Sequence, residues 1–352
     1  MIRVGLVGFG MAGRVFHAPI ISSVEGLELA AVVERTTDNS AQRYPGITTY
    51  RTLDELLADS SIKLVVVATP NATHYDFALQ ALEAAKNVVV DKPAAVSSAQ
   101  ISQLLQLAGG IGIQYIPFHN RRWDSDFQTI QKVLHEKSLG QLVHFESTLD
   151  RWRPSPSTRA WKDDPDQGGI LLDLGTHLVD QALTLFGQPQ SLGAEVLRER
   201  DGEGANDSFT VRLHYLTGAS VTLSANSLSS LARPRFHLRG MKGNYWKWGQ
   251  DLQEEALGKI TRIDSPEWGK EPPAHWGNLC VDTDGSMVTQ PVEPVPGDYR
   301  LFYAGVRDAL LGTGSPPVAA VDAWRTARIL EWALESAKTH RDIECDWSAE
   351  PQ

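Results

Sequence analysis

The chain has 352 residues, of which 42% are hydrophobic and 22% charged, with a formal net charge of −10. That length points to two domains, and that composition to a globular protein rather than a disordered or membrane-embedded one. The acidic balance, with no long basic run, excludes a protein that lives on nucleic acid or anionic lipid, and no apolar run approaches the ~20 residues that cross a bilayer.

Ile2 to Val7 reads as a buried strand that runs into a glycine turn and a helix. Leu27 to Val33 is a second strand, and Asp54 to Leu57 belongs to a short helix that Thr52 caps. Leu64 to Ala68 is a continuous apolar strand, and Asn71 to Ala85 carries apolar residues at helical spacing. Asn87 to Val90 is another strand, Ser97 or Ser98 caps a helix through Leu107, and Ile111 to Phe118 ends the series. Strands buried on both sides and alternating with helices imply a parallel, doubly wound sheet over residues 1–118, whose ligands collect at the carboxyl ends of the strands.

Beyond residue 119 the texture changes, and all ten tryptophans lie there. Gly140 to Leu149 alternates as a strand. Ser208 to Leu213 and Ser220 to Ala225 read as a hairpin, as do Arg235 to Arg239 and Tyr245 to Trp248. Pro266 to Gly297, rich in Pro, Gly and Trp, is expected as an irregular surface excursion, and Ala319 to Lys338 as a closing helix that packs back on the first domain. Residues 119–352 thus predict an α+β domain with a large open, mainly antiparallel sheet, helices on one side and oligomerisation through the other. Trp246 and Trp248 are expected in the sheet core or a subunit contact. Cys280 and Cys345 match no metal-ligand spacing, so no metal is expected, and they leave room for one disulfide at most. The start of the chain has neither a charged leader nor a small-residue cleavage pattern, so a soluble, cytoplasmic protein is expected.

Gly8-Phe9-Gly10-Met11-Ala12-Gly13 follows a strand and opens a helix. In such a turn the first glycine makes the bend, the second lets the backbone approach a pyrophosphate, and the third packs helix on strand. The helix N-terminus then faces the phosphate charge. This predicts a Rossmann domain that binds a dinucleotide. Glu34 ends the second strand, where a carboxylate accepts hydrogen bonds from ribose hydroxyls and repels a 2′-phosphate, which favours NAD. Arg35 and Thr36 beside it suit the phosphate of NADP if Glu34 turns away.

Lys92, in Asp91-Lys92-Pro93, projects from a carboxyl strand end, where the reactive ring of the dinucleotide belongs. In Gly168 to Asp180, helical spacing puts Asp173, His177 and Asp180 on one face. Oxidation of an alcohol needs a base for the hydroxyl proton; a histidine titrates in the right range, and a carboxylate nearby orients it.

Taken together, the glycine turn, Thr69-Pro70-Asn71 with His74, Asp91-Lys92-Pro93, and Gly168-Gly169 with Asp173 and His177 resemble the Gfo/Idh/MocA oxidoreductases, in order and spacing, over essentially the whole chain. The usual Glu-Lys-Pro is here Asp-Lys-Pro. Phe118-His119-Asn120-Arg121-Arg122-Trp123-Asp124-Ser125-Asp126-Phe127 and Asp180 to Gly187 are similar to the subgroup that contains scyllo-inositol dehydrogenases. The resemblance implies that Lys92 polarises the reacting oxygen, that His177 is the acid/base, and that Asp173 orients it or holds a neighbouring hydroxyl. It implies that Thr69, Pro70, Asn71, His74 and Asp91 belong to the NAD or NADP site, and that Asn120, Arg121 and Trp123 line the substrate cleft. A homodimer or homotetramer that transfers a hydride between NAD(P) and a cyclic polyol or sugar follows. Glu34 departs from the small hydroxyl residues common in the inositol enzymes. Arg151, Trp152 and Arg153 suit either a sugar-like ligand or a solvated strand end. Two other readings are compatible with a dinucleotide site: redox-neutral glycoside cleavage with a retained NAD, and a dinucleotide-sensing regulator, which would not need the proton-transfer residues.

Overall fold

The computed structural model describes residues 1–156, 160–165, 168–259 and 263–351. Six strands form the first sheet: β1 (Ile2–Val7), β2 (Leu27–Val33), β3 (Thr48–Tyr50), β4 (Leu64–Val67), β5 (Asn87–Val90) and β6 (Tyr115–Pro117). Their order is β3-β2-β1-β4-β5-β6, with every pairing parallel. Chain order reverses between β1 and β4, which opens a crevice at their carboxyl ends.

Both faces of this sheet are buried, and the period-2 alternation of the strands assigns each side chain to one of them. Val7, Ala31, Val33, Val65, Val67, Val88 and Val90 point to one face. It is covered by α3 (Leu53–Ala58), α4 (His74–Glu83) and α5 (Ser98–Ile111), while α2 (Asn39–Arg43) lies beside β3. Thr52 caps α3 in a reciprocal capping box with Glu55 at 3.2 Å each way, and Ser97 caps α5. Val4, Leu6, Leu29, Leu64, Val66, Val89 and Ile116 point to the other face. There α1 (Ala18–Ser23) is joined by Phe302, Tyr303 and Val306 of a distant helix, numbered α9 below.

The second sheet has nine strands: β7 (Leu142–Thr148), β8 (Ser191–Leu197), β9 (Ser208–His214), β10 (Ser220–Asn226), β11 (Phe236–Gly240), β12 (Gly243–Lys247), β13 (Gly277–Thr283), β14 (Ser286–Val292) and β15 (Ile343–Glu344). Their order is β14-β13-β12-β11-β7-β10-β9-β8-β15, antiparallel throughout except β7 with β10. α6 (Ser125–His135), α7 (Thr176–Phe186) and part of α10 (Ala320–Thr339) bury its inner face, with Phe127, Ile130, Leu178, Val179, Ile329 and Ala333 against Phe145, Val211, Leu223 and Leu238. α8 (Gln253–Gly258) and α9 (Arg300–Leu310) complete the helices named here.

The stretch expected as an irregular excursion holds β13 and β14, a hairpin on the sheet edge. Its turn is Asp284-Gly285, both at positive φ (53° and 85°), the backbone of a tight type I′ hairpin. Trp246 is half-buried and Trp248 is 52% exposed, so neither fills the core. Cys280, on β13, and Cys345 are both free thiols. Among the described residues, no helix is long and apolar enough to cross a membrane.

α10 joins the two halves. Ala323 and Trp324 pack on the parallel sheet, while Ile329, Leu330 and Ala333 pack on the second. Its Glu331 accepts hydrogen bonds from the Ser98 backbone N–H (2.7 Å) and hydroxyl (2.8 Å) at the start of α5.

Candidate active site

The carboxyl ends of β1, β4, β5 and β6 open into a cleft of about 610 Å3, whose opposite wall is the second half of the chain. The glycine turn forms one end. A Cβ on Gly8 (φ 97°) would lie 2.7 Å from the Ala68 carbonyl, and one on Gly13 would lie 2.2 Å from the Gly8 carbonyl. A Cβ on Gly10 would meet no atom within 4 Å and would project into open space. Two glycines are therefore demanded by close packing, and the third keeps clear a cradle beside Met11 and Ala12, as a pyrophosphate requires. This geometry fits a dinucleotide. Phe9 stands outside the cradle and packs edge-on to Tyr44.

At the end of β2, Glu34 is buried rather than presented to solvent. Its carboxylate accepts hydrogen bonds from the Thr37 hydroxyl (2.6 Å) and the Ser40 backbone N–H (2.7 Å). Burial opposes its charge, but the bonds from Ser40 and Thr37 prevail and hold its pKa below the ordinary value. Arg35 and Thr36 are exposed next to it.

Thr69, Pro70 and Asn71, after β4, line the cleft, as do Asp91 and Lys92 after β5. His74 lies behind them, with Nδ1 at 2.7 Å from the Pro93 carbonyl and Nε2 at 2.7 Å from the Thr69 carbonyl. It ties the two strand-end loops together and does not line the cleft. Asp91 is backed by His17, whose Nε2 is 3.7 Å from the carboxylate and whose Nδ1 is 2.6 Å from the Tyr303 hydroxyl. Burial raises the Asp91 pKa, but His17, His74 and Lys92 outweigh it and hold the group below the ordinary carboxylate range.

Lys92 reaches across the cleft. Its Nζ donates to the Asp173 carbonyl (2.7 Å) and to Asp173 Oδ1 (2.8 Å). Lys162 Nζ stands 3.3 Å from Asp173 Oδ2, and Arg151 stands 3.7 Å from the same atom. Burial disfavours the charge of Asp173, but these three cations overcome it and hold the carboxyl well below its usual range. Asp173 lies in a π-helical turn, Leu171–Gly175, that leads directly into α7. Such wide turns recur at functional sites because they rotate side chains away from the regular helical face. Here the carboxylate meets Lys92, while His177 faces the cleft and Asp180 turns to Arg122, with bonds of 2.9 and 2.6 Å. The shared face expected for these three is thus divided, and the carboxylate expected to orient His177 is engaged by lysine. Burial, then the positive charges of Lys92 and Arg121, push the His177 pKa well below its usual value; Asp173 only partly compensates.

Asn120 and Arg121 also line the cleft. Arg121 is fixed by Asp124 (3.0 Å) and by Glu254 of α8 (2.7 Å). Trp123 is not among the lining residues: it ends a short 3-10 turn, where its ring packs edge-on to Phe302 at 5.7 Å. The ring is half-buried at the edge of the core that covers one face of the first sheet. Trp152 is 59% exposed and also outside the lining, although Arg151 and Arg153 on either side belong to it. Phe16, half-buried, supplies aromatic surface instead, and Phe118 borders the cleft from within the core. Sequence reasoning passed over those two, along with His17, Lys162 and Glu254. His17 follows the glycine turn closely enough to have been noticed, whereas no local pattern marks Lys162 or Glu254. Among the described residues, one His/Glu group, His144, Glu146 and His237, has possible metal-ligand atoms within 4.8 Å of one another. It lies on β7 and β11, outside the cleft lining, with Arg233 3.5 Å from Glu146.

Comparison with known proteins agrees with this architecture. Residues 2–119 match the model of the oxidoreductase family, NAD-binding Rossmann fold, and residues 127–246 match the GFO/IDH/MocA C-terminal domain. The oxidoreductase YdgJ of Escherichia coli is 40% identical over 345 residues, covering 98% of either chain. The scyllo-inositol 2-dehydrogenase (NADP(+)) IolW of Bacillus subtilis is 30% identical over 342 residues, 97% of this chain and 95% of that one. A solved oxidoreductase structure from Bacteroides fragilis superposes with a TM-score of 0.91 at 37% identity, covering 98% of this chain and 100% of that one.

Proposed function

Because the chain belongs to the Gfo/Idh/MocA family of NAD(P)-dependent oxidoreductases, we propose that it oxidises a secondary hydroxyl of a cyclic polyol or sugar reversibly, with NADP as the preferred dinucleotide. The observation that carries this reading is the meeting of Lys92, Asp173 and His177 in one cleft beside an open glycine cradle. The similarity to an NADP-dependent scyllo-inositol dehydrogenase supports the substrate class.

A bound nicotinamide supplies the acceptor for the hydride that leaves the carbinol carbon. The protein contributes the proton chemistry. His177 is neutral near physiological pH, because burial and two cations disfavour its charged form, so its ring accepts the hydroxyl proton as the hydride departs. Lys92, held in place by Asp173, favours the negative charge that develops on the oxygen. Atoms balance: alcohol and oxidised dinucleotide give ketone, reduced dinucleotide and one proton, which His177 passes to solvent. Asn71, Asn120 and Arg121 bring further hydrogen-bonding groups to the same space, suited to a ligand with several hydroxyls.

The preference for NADP rests on the inward turn of Glu34. With its carboxylate taken by Thr37 and Ser40, the exposed groups at the strand end are Arg35 and Thr36. A guanidinium there matches a 2′-phosphate through charge-assisted hydrogen bonds. The test follows nicotinamide absorbance with purified protein, each dinucleotide separately, and a panel of inositols and aldoses. Reduction of NADP with one stereochemical group of polyols is expected. Reduction of NAD alone would overturn the cofactor assignment, and dinucleotide binding without turnover of any polyol would overturn the reaction.

A further inference from the structure

Past the reacting centre the cleft continues into a second hollow of about 420 Å3, between the loop that follows β7 and the connection from β8 to β9. The two spaces share Asn71, Arg151, Arg153, Lys162 and Asp173. Among the described residues, four cations (Arg151, Arg153, Lys162 and Arg200) and three carboxylates (Asp163, Asp173 and Asp207) line the hollow. Of these acids, Asp163 is paired with Arg198 at 3.2 Å, and Asp207 accepts the backbone N–H groups of Glu199 (2.7 Å) and Arg200 (3.1 Å). Asp173 is shared by Lys92, Lys162 and Arg151, and Arg153, itself exposed, lines the same hollow. Arg200 donates twice to the Arg153 carbonyl, at 3.0 and 2.7 Å, and so fixes the backbone that carries this guanidinium. Several cations around one carboxylate, in a partly enclosed space, repel one another unless an anion joins them.

We propose that the substrate carries an anionic group, a carboxylate or a phosphate monoester, which Arg151, Arg153 and Lys162 bind in this hollow while the reacting hydroxyl lies at Lys92 and His177. The inference rests on the dehydrogenase reading and narrows its substrate class. Two guanidinium forks and an ammonium suit such a group, whose oxygens accept several charge-assisted hydrogen bonds at once. Burial already disfavours the charged forms of Arg151 and Lys162, and an incoming anion relieves that cost. It also leaves Asp173 to Lys92. A charged anchor several ångströms from the reacting carbon fixes which ring hydroxyl meets His177, and so gives regioselectivity among chemically similar hydroxyls.

The test compares glucose, glucuronate and glucose 6-phosphate as substrates of the full-length enzyme with NADP and, separately, NAD. A charged sugar is expected to exceed glucose by about tenfold or more in kcat/KM, as charge-assisted bonds predict; the better of the two names the group. In Arg153→Gln and Arg151→Gln that advantage is expected to collapse through KM, with dinucleotide binding retained. Equal or better use of glucose, or an advantage that survives both substitutions, overturns the proposal. If no sugar is turned over, calorimetric titration of glucuronate and of glucose 6-phosphate into the dinucleotide-loaded enzyme decides separately. Binding that Arg153→Gln removes upholds the anion site, while the dehydrogenase reading stands or falls on the polyol panel; binding that survives this substitution, or no binding to the unaltered protein, overturns the site.

Discussion

His177 occupies a place where burial and the charges of Lys92 and Arg121 all disfavour a proton on its ring. The sign of the consequence is definite. In the unfolded chain the ring gains a proton as pH falls through ~6.5, whereas the folded ring stays neutral to lower pH. On the proposed mechanism oxidation requires the neutral ring, so kcat/KM for the polyol should stay level from pH 8 down through ~6.5 and fall only in more acid solution. A pH–rate profile checks this, and an acid limb at or above 6.5 would show that the environment does not depress this histidine. The same displacement costs stability: this group's contribution is complete above ~6.5 and is lost as pH falls toward the folded value. His177→Ala should lower kcat by about a hundredfold or more and remove that acid limb. Lys92 and His177 were legible in the sequence because each follows a local signature, a strand end or a turn into a helix. The partners of Asp173 were not legible, since Lys162 and Arg151 reach it by tertiary folding. Trp123, placed in the cleft by the resemblance along with Asn120 and Arg121, packs on Phe302 instead, because a place in a motif does not determine where a ring points.

The glycine turn sets two similar substitutions apart. An alanine methyl at Gly13 would sit 2.2 Å from the Gly8 carbonyl, so Gly13→Ala should destabilise the fold by about 1–3 kcal/mol, with the backbone shifting to relieve the clash. At Gly10 the methyl meets nothing within 4 Å, so Gly10→Ala should leave the melting temperature nearly unchanged and weaken dinucleotide binding by about tenfold or more, because it fills the cradle. Thermal melts with and without dinucleotide separate the two, and parallel losses in both variants would contradict this division of labour. Elements of the first sheet were readable from sequence because doubly buried strands leave uninterrupted apolar runs. The β13–β14 hairpin was not, although Asp284-Gly285 is a strong turn signal. Its strands lie at the edge of the sheet and β14 is largely exposed, so the apolar alternation that marks an internal strand is weak there. The π-helical turn at Leu171–Gly175 also escaped, because regular helical spacing was assumed across it.

At the scale of the whole molecule, the boundary drawn after residue 118 separates the two sheets but not their cores. Tyr299, Phe302, Tyr303 and Val306 fill one face of the parallel sheet together with Ile20, Ile21 and Phe118, and Trp324 enters the other. A fragment of residues 1–118 should therefore expose apolar surface, bind a hydrophobic dye and lack a cooperative melt. A soluble fragment with a sharp transition would show instead that the first half is self-sufficient.

The late arrival of α9 also matters while the protein is being made. At a synthesis rate of roughly 5–20 residues per second, the ribosome adds the stretch between residue 118 and α9 over about ten to forty seconds. During that interval the strands that begin the chain have emerged, but their covering helix has not yet been translated. The nascent sheet must wait with one apolar face covered by α1 alone, so the start of this chain is a natural client for a holding chaperone until its own distant segment arrives.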